Sequence, residues 1–160
     1  MRIRTIFVGA AFGFIVSGCE QPASVPLSND SLPPPPAWSA SMIGKPIRER
    51  FTVGETCNGY IDVARVRYEG ARPGVGFEGW GWDGVAKKRG EHILLTDEAG
   101  RIVGAGEGGR PRPDVPQNMP AVPAPDTGWS AASPLLKGKI QAWVLQDGDK
   151  TACRLAAFEF

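Results

Sequence analysis

The chain has 160 residues, and its 18 Lys and Arg nearly balance its 17 Asp and Glu, for a formal net charge of +1. A nucleic-acid-binding domain normally has a clustered basic excess, so this balance argues against nucleic acid as a partner. The single histidine leaves few imidazole groups for metal binding or for triad chemistry.

The chain begins with the pattern of a secretory signal peptide. Arg2 and Arg4 precede an apolar run over residues 6–16 that is too short to cross a bilayer as a helix. The run ends in the sequence VSGC, which resembles the lipobox of bacterial lipoproteins, in which a small residue precedes the cysteine that becomes lipidated. An ordinary signal peptide cut near Ala23 is the alternative.

The lipobox resemblance implies where the protein is located. It implies a lipoprotein signal peptide over residues 1–18, its removal, and a lipid such as palmitate on Cys19. The partner would then be a membrane of the bacterial cell envelope, reached through that lipid. Glu20 stands where an aspartate would favour retention in the inner membrane. We therefore expect an outer-membrane protein that faces the periplasm or the cell surface.

Residues 19–40 are expected to form the lipidated N-terminus and a Pro-rich linker. They contain few large apolar residues, so they bury too little surface to fold. Four consecutive prolines at residues 33–36 predict a polyproline II rod, a semi-rigid spacer between membrane and domain. Trp38 is expected to be the first residue that contacts the folded domain.

Residues 41–160 have the length of one domain and mostly the periodicity of β-strands. EHILLT and RIVGAG flank a turn at residues 97–100, and KIQAWVLQ and KTACRLAAF flank Asp-Gly-Asp at residues 147–149, so two hairpins are predicted. Because 21 glycines and 15 prolines would interrupt most helices, an all-β sandwich or barrel follows. We expect a single antiparallel β-sandwich, Ig-like or jelly-roll-like.

Alternation within two further strands assigns side chains to faces. In CNGYIDVARVRY it places Tyr60, Asp62, Ala64 and Val66 on one face, and Ile61 and Val63 on the other. In GFEGWGWDG it places Glu78, Trp80 and Trp82 on one face, and Phe77, Gly79, Gly81 and Asp83 on the other. Two indoles about 7 Å apart along a strand form either part of a core, which is the commoner case, or a platform on which a sugar stacks.

Cys57 and Cys153 are the cysteines that remain after Cys19. An export signal places both in an oxidising compartment, where an even pair usually forms a disulfide. Free thiols or a metal site are the alternatives, and one histidine with two cysteines supplies few metal ligands. We expect the disulfide, no metal and no cofactor.

Residues 104–109 match the dinucleotide-binding pattern G-x-G-x-x-G after a predicted strand. That function needs a helix that begins there, so that its amides meet the pyrophosphate. Arg110 and Arg112 each precede a proline and are restricted to extended conformations, so no helix is predicted. The match is interpreted as accidental.

Hydrolytic chemistry also lacks its usual residues. His92 is the only histidine, and no serine lies in a G-x-S-x-G motif. Paired carboxylates remain as an alternative, and the candidates are Asp62, Asp83, Asp97 and Asp114. Since acidic residues at turns usually cap or face solvent, we expect the protein not to be an enzyme.

Arg112 and Asp114 lie in the proline-rich stretch that follows the glycine pattern. Pro111 and Pro113 fix the backbone around them, so the guanidinium and the carboxylate stay close at little entropic cost. We expect an internal clamp that holds this loop on the domain. A polar rim beside a ligand groove is the alternative.

Three stretches look like a glycine- and tryptophan-rich β-sandwich module of extracytoplasmic bacterial envelope proteins. The matching elements are G-W-x-x-D at residues 79–83, a hairpin with D-x-x-G-x-x-x-G at 97–104, R-P-D-V at 112–115 and G-W at 128–129. The resemblance implies the sandwich fold and no established activity. Some relatives occur in proteins that handle surface polysaccharide, which slightly favours sugar binding.

These features predict a lipid-anchored cell-envelope protein that is a non-catalytic structural or protein-interaction module, with an envelope protein as its partner. The alternative is a carbohydrate-binding or surface-polysaccharide-binding module that uses Trp80 and Trp82. The candidate ligand-binding residues are Trp80, Trp82, Asp83, Arg112, Asp114 and Trp129.

Overall fold

The computed structural model describes residues 32–160, apart from the side chains of Glu55 and Thr56. The predicted signal peptide, the lipidation site Cys19 and the first part of the linker lie outside the described residues. The elements are α1 (Ile47–Arg50), β1 (Thr52–Thr56), β2 (Asn58–Arg67), β3 (Gly74–Asp83), β4 (Lys88–Arg89), β5 (His92–Thr96), β6 (Ile102–Arg110), α2 (Asp114–Asn118), β7 (Gly128–Ser133), β8 (Lys139–Gln146) and β9 (Thr151–Glu159). Among them, no helix has the length and apolar character needed to cross a membrane.

The nine described strands belong to one hydrogen-bonded sheet. Its order is β1-β9-β8-β5-β6-β7-β3-β2, and β4 pairs with the end of β3. β1 and β2 follow one another with only Cys57 between them, yet they stand at opposite ends of this order. The sheet therefore curls into a half-barrel whose two ends meet at Cys57. The N–H of Cys57 donates to the Arg154 carbonyl on β9 at 2.8 Å.

The predicted all-β class and both predicted hairpins are confirmed. β5 pairs with β6, and β8 pairs with β9, both in antiparallel register. The Ig-like or jelly-roll-like sandwich is not confirmed, because the described strands pair into a single curled sheet. The sheet is also not wholly antiparallel, since β1 pairs with β9 in parallel.

The inner face of the curled sheet holds the main core. Alternate residues along the strands point into it, as strand geometry requires. Its buried members are Cys57, Ile61, Val75, Phe77, Ile93, Leu95, Trp129, Ala131, Ile140, Ala142, Val144, Cys153 and Leu155. Since these side chains come from strands across the whole sheet, the core stays dry only while the sheet remains curled.

A β-bulge in β2 changes the faces predicted for its side chains. The register with β3 shifts between Ile61 and Val63. Ala64 and Val66 consequently pack on the main core with Ile61, while Tyr60 is 63% exposed. The prediction that Ala64 and Val66 share a face with Tyr60 is wrong, because one extra residue inverts the alternation.

A second cluster covers the outer face of β5, β6, β8 and β9. A 3₁₀ turn (Ala37–Ser39) and α1 lay the N-terminal segment across these strands. The segment is also hydrogen-bonded to them, since the Gly44 N–H donates to the Ile102 carbonyl at 2.7 Å. The buried members of this cluster are Ile47, Phe51, Leu94, Ile102, Ala105, Trp143, Leu145 and Ala152.

Residues 32–40, predicted to be disordered linker, instead pack on the sheet. Leu32 is 6% exposed and Ser39 is fully buried at 0%. The Leu32 N–H donates to the Arg72 carbonyl at 3.3 Å, and Ser39 Oγ donates to the Pro36 carbonyl at 2.8 Å. The predicted domain boundary at residue 41 thus falls inside the packed part of the chain. Among the described residues, Leu32 already contacts the domain, six positions before Trp38.

Residues 111–127, here called the proline loop, cover the outer face of β3. Val115 and Val122 pack on Trp80 and Trp82, and none of the four side chains is more than 5% exposed. Burial of these large apolar surfaces fixes the loop in place. This proline-rich stretch is therefore not a flexible spacer but an ordered segment that covers β3.

The proline loop contains α2, although the sequence predicts no helix there. Pro113 precedes the helix and Pro116 lies in its first turn. The N–H groups of a first turn need no acceptor within the helix, so proline is tolerated at these positions. The Met119 N–H donates to the Val115 carbonyl at 2.7 Å and closes the turn.

The structure contains the predicted disulfide between Cys57 and Cys153, whose Cα atoms are 5.6 Å apart. It joins the β1–β2 junction to β9 across a sequence separation of 96 residues. The covalent bond and the Cys57–Arg154 backbone hydrogen bond therefore act at the same place, where the two ends of the sheet meet.

Replacing both cysteines, Cys57→Ser with Cys153→Ser, should lower the free energy of unfolding by about 4 kcal/mol, because the unfolded chain regains the entropy of a long open loop. Denaturant unfolding of the oxidised protein and the double variant measures this difference. Reduced wild-type protein is the matched control and should unfold with the double variant. Equal midpoints for the oxidised protein and the variant would contradict a stabilising disulfide.

Candidate functional site

Arg112 lies between two carboxylates and bonds both. Its Nε and Nη2 donate to Oδ1 and Oδ2 of Asp114 at 2.8 and 2.7 Å, a bidentate pair. Its Nη1 donates to Oδ2 of Asp62 on β2. These three residues, here called the Arg112 cluster, join the proline loop to the sheet.

The local chain explains how the Arg112 cluster is assembled. Pro111 and Pro113 restrict the backbone on both sides of Arg112. The Arg112 N–H donates to the Pro125 carbonyl at 2.6 Å, which closes the base of the proline loop. Asp62 lies at the β2 bulge, which places its side chain outside the main core. A guanidinium and a carboxylate 50 residues apart in sequence thereby meet.

The ion pairs change the pKa values of the cluster. The hydrogen bond to Asp114 is the largest cause that raises the pKa of Arg112, against the opposing effect of burial, and Asp62 raises it further. The same hydrogen bond lowers the pKa of Asp114 below its ordinary value. Because this pKa is lower in the folded protein, the stability that the pair supplies is present above the unfolded pKa. It is lost as the pH falls through the folded one.

The surroundings of the cluster favour the clamp over the ligand rim. A groove of about 430 Å³ lies beside it, and its charged lining is Asp62, Glu78, Arg110 and Arg112. Arg112 already uses Nε, Nη1 and Nη2 internally, and Glu78 pairs with Arg65 at 2.9 Å. A ligand that bound Arg112 or Glu78 would compete with these bonds. The geometry thus supports a structural role for Arg112 and Asp114.

The tryptophans predicted as ligand-binding residues lie in two separate cores. Trp80 and Trp82 are each 5% exposed beneath the proline loop, while Trp129 is 1% exposed in the main core. Trp80 and Trp82 share one face of β3, as predicted, and Trp129 on the neighbouring strand β7 lies on the opposite face of the sheet. Since a sugar cannot stack on a covered indole, the platform interpretation of Trp80 and Trp82 is wrong and the core interpretation is confirmed.

Asp83, the remaining predicted ligand residue, has a structural partner. Its side chain is 4% exposed, and Oδ1 accepts hydrogen bonds from the backbone N–H groups of Val85 and Ala86, both at 2.9 Å. It therefore caps the turn between β3 and β4. Asp97 similarly accepts from the Arg101 N–H in the β5–β6 turn. Of the four carboxylates considered as catalytic pairs, Asp62 and Asp114 meet, with Arg112 between them.

Two polar contacts were not predicted from the sequence. The His92 ring stacks on Trp38 with centroids 4.2 Å apart, and its Nδ1 lies 2.7 Å from Oδ2 of Asp149. Arg89 pairs with Asp126 near the end of the proline loop. Both contacts hold a covering segment or turn against the sheet. In the sequence, His92 is a single histidine at the start of a strand and Arg89 is a charged residue beside a turn, and neither feature predicts a partner.

The glycine pattern at residues 104–109 lies inside β6, and a bulge interrupts the strand at Gly109, whose φ is +88°. A Cβ at Gly106 would collide with the Ser130 carbonyl, and one at Gly108 with the Gly90 carbonyl. These glycines allow neighbouring segments to approach closely. The pattern thus reflects packing in the sheet and has no phosphate-binding turn.

Within residues 32–160, no group of three or more His, Cys, Asp and Glu side chains could hold a metal ion. The chain matches no protein-family model, and neither a curated protein nor a solved structure matches it. The resemblance to an envelope module thus rests on the quoted motifs alone. Function has to be argued from the residues of the chain itself.

Removing members of the Arg112 cluster should loosen the proline loop. We expect Arg112→Ala and Asp114→Ala each to lower the melting temperature by a few degrees, because the first leaves two carboxylates without their cation and the second removes the bidentate partner of Arg112. The double variant should lose less than the sum of the two losses. Thermal unfolding followed by circular dichroism measures all three variants.

Arg110→Ala is the matched control for the clamp, since Arg110 is exposed and none of the ion pairs within residues 32–160 includes it. It should melt like the wild type. The difference in melting temperature between the wild type and Arg112→Ala should become smaller in acid, because protonation of Asp114 removes the ion pair. Additive losses, or a difference independent of pH, would be evidence against the clamp.

Trp80→Ala and Trp82→Ala should each lower the free energy of unfolding by about 3 to 5 kcal/mol, since both indoles are buried against the proline loop. Tyr60→Ala is the matched control, because Tyr60 pairs with Trp80 across the two strands but is 63% exposed. It should cost less than about 1 kcal/mol. Denaturant unfolding compares the three, and similar losses for Tyr60 and the tryptophans would contradict the packing described above.

Proposed function

We propose that the chain is a lipid-anchored protein of the bacterial cell envelope and that its folded part is a structural or protein-interaction module. The observation that carries this proposal is the Cys57–Cys153 disulfide, in a chain whose first 19 residues have the pattern of an export signal that ends in VSGC. Structural disulfides persist in oxidising compartments, which an export signal would supply. Two features from distant parts of the chain therefore support the same location.

In this proposal the lipid is attached to Cys19 after residues 1–18 are removed. Glu20 in place of an aspartate favours the outer membrane. The acyl chains supply the affinity for the bilayer, and the sheet domain lies outside it, facing the periplasm or the cell surface.

Interaction without catalysis is supported by the way the polar side chains are used. The Arg112 cluster holds the proline loop, Asp83 caps a turn, and His92 contacts Trp38 and Asp149. Each of these groups fastens one chain segment to another. The surfaces left for contact with a partner are then the loops at the ends of the rigid sheet. In many proteins, binding residues are concentrated on such loops.

Carbohydrate binding remains the alternative function, but through a different aromatic ring. Trp80 and Trp82 are covered by Val115 and Val122. Tyr60 is 63% exposed, and its ring centroid lies 6.2 Å from that of Trp80. It lies two residues before Asp62 on β2, so a sugar that stacked on it would lie near the Arg112 cluster.

Cys19→Ala in the full chain should give a protein that carries no lipid and no longer partitions with membranes, because the acyl chains supply most of the membrane affinity. Metabolic labelling with a palmitate analogue and detergent phase partitioning measure the two effects. Gly18→Ala, which keeps a small residue before the cysteine, should be labelled like the wild type. Labelling of Cys19→Ala at the wild-type level would overturn the lipobox interpretation.

A further inference from the structure

The described chain enters the sheet at one end, between two loops. The buried side chain of Leu32 lies against Gly74, the first residue of β3, and beside Pro134, which follows β7. Its N–H donates to the Arg72 carbonyl in the β2–β3 loop. The segment that leads from Cys19 therefore reaches the domain at the β2–β3 and β7–β8 loops.

Strand pairing brings further connections to that same end. Val75 at the start of β3 pairs with Ser133 at the end of β7. Thr96 at the end of β5 pairs with Gln141 near the start of β8, so the β5–β6 turn also lies there. The N-terminal segment joins them, since Gly44 bonds to Ile102 at the start of β6. We call these four segments, residues 40–46, 68–73, 97–101 and 134–138, the tether end.

Exposed apolar side chains are concentrated at the tether end. Of the six large hydrophobic residues that are exposed within residues 32–160, three lie there, on three different segments: Ile43 at 36%, Tyr68 at 72% and Leu136 at 38% exposure. The others lie away from the tether end. Tyr60 is on β2 and pairs with Trp80, Val85 follows β3, and Met119 is in the proline loop. Tyrosine has an apolar ring and a polar tip, which suits the boundary between lipid headgroups and water.

The length of the tether also favours this end. The chain from Cys19 to Leu32 can reach at most about 45 Å when fully extended. β3, with its 10 residues, spans about 30 Å from the tether end to the β3–β4 turn. If the domain had its β3–β4 turn toward the bilayer, the tether would have to run back along the length of β3. That path would use most of its reach. A lipid on Cys19 would therefore favour the orientation in which the tether end is nearest to the membrane, because that orientation leaves the tether the most freedom.

The geometry points to the tether end as a membrane-facing surface on which Ile43, Tyr68 and Leu136 rest in the headgroup region of the bilayer. This inference rests on the proposed lipid anchor at Cys19. The four segments carry four basic side chains against three acidic ones, so charge adds little net attraction: Lys45, Arg72, Arg101 and Lys137 against Glu69, Asp97 and Glu98. Apolar contact, guided by the short tether, carries the interaction.

Environment-sensitive fluorophores attached to single introduced cysteines in the full lipidated chain test this surface. The labelled variants are Tyr68→Cys and Leu136→Cys, and the matched control is Val85→Cys, which is 95% exposed at the opposite end of β3. Mass spectrometry first verifies that Cys57 and Cys153 remain joined in each variant. The proteins are reconstituted on phosphatidylethanolamine–phosphatidylglycerol vesicles with and without headgroup-level quencher lipids.

We expect quenching at positions 68 and 136 to be several-fold stronger than at position 85. Vesicle flotation of the same samples separates the two proposals. Protein that floats but shows equal quenching at the three positions, or the strongest at position 85, overturns the membrane-facing surface and leaves the lipid anchor standing. Protein that does not float and carries no lipid overturns both.

Discussion

The fold depends on one junction, Cys57, at which consecutive strands belong to opposite ends of a single sheet. β1 pairs with β9 and β2 pairs with β3, so a flat sheet could not satisfy both pairings. The curl that satisfies them creates an inner face, and the main core forms there. The disulfide to Cys153 and the backbone bond to Arg154 hold the two ends together. Without them the ends could separate and expose the core to water.

A curled sheet has a wide outer face, and two irregular segments make it stable in water. The N-terminal segment covers the cluster around Trp143, and the proline loop covers Trp80 and Trp82. Solvent-exposed ion pairs such as those of Arg112 contribute little to the free energy of unfolding, whereas burial of one indole contributes much more. Burial therefore holds the covers on the sheet. The ion pairs determine where each cover lies, because their geometry admits few alternatives.

Sequence reasoning succeeded where the signal was local and failed where it was not. The Asp-Gly turn at residues 147–149 and the alternation in β3 located a hairpin and the faces of Trp80 and Trp82. No sequence pattern predicts the bulge at Asp62, and the bulge moves the later side chains of β2 to the opposite faces from those predicted. The parallel pairing of β1 with β9 joins strands from opposite ends of the domain, and no local pattern predicts it.

The Arg112 cluster shows the same division between local and distant information. The pair with Asp114 followed from two neighbouring prolines, while the partner Asp62 is 50 residues away and is brought near by the bulge. The same prolines also led to the prediction that no helix forms in this stretch. Prolines at the start of a helix lose no hydrogen bond, so one turn formed despite them.

The packing of residues 32–51 gives a lipid anchor a mechanical consequence that a free spacer would not have. A disordered linker up to residue 40 would let the domain rotate freely above the membrane. Instead, residues 32–51 pack on the domain through Leu32, Ser39, Ile47 and Phe51, so this segment is part of the cover over the outer face. A pull on a lipid at Cys19 would then act on the domain through Leu32, beside the β2–β3 and β7–β8 loops. The same packing that buries apolar surface therefore limits how the domain can be oriented on a bilayer.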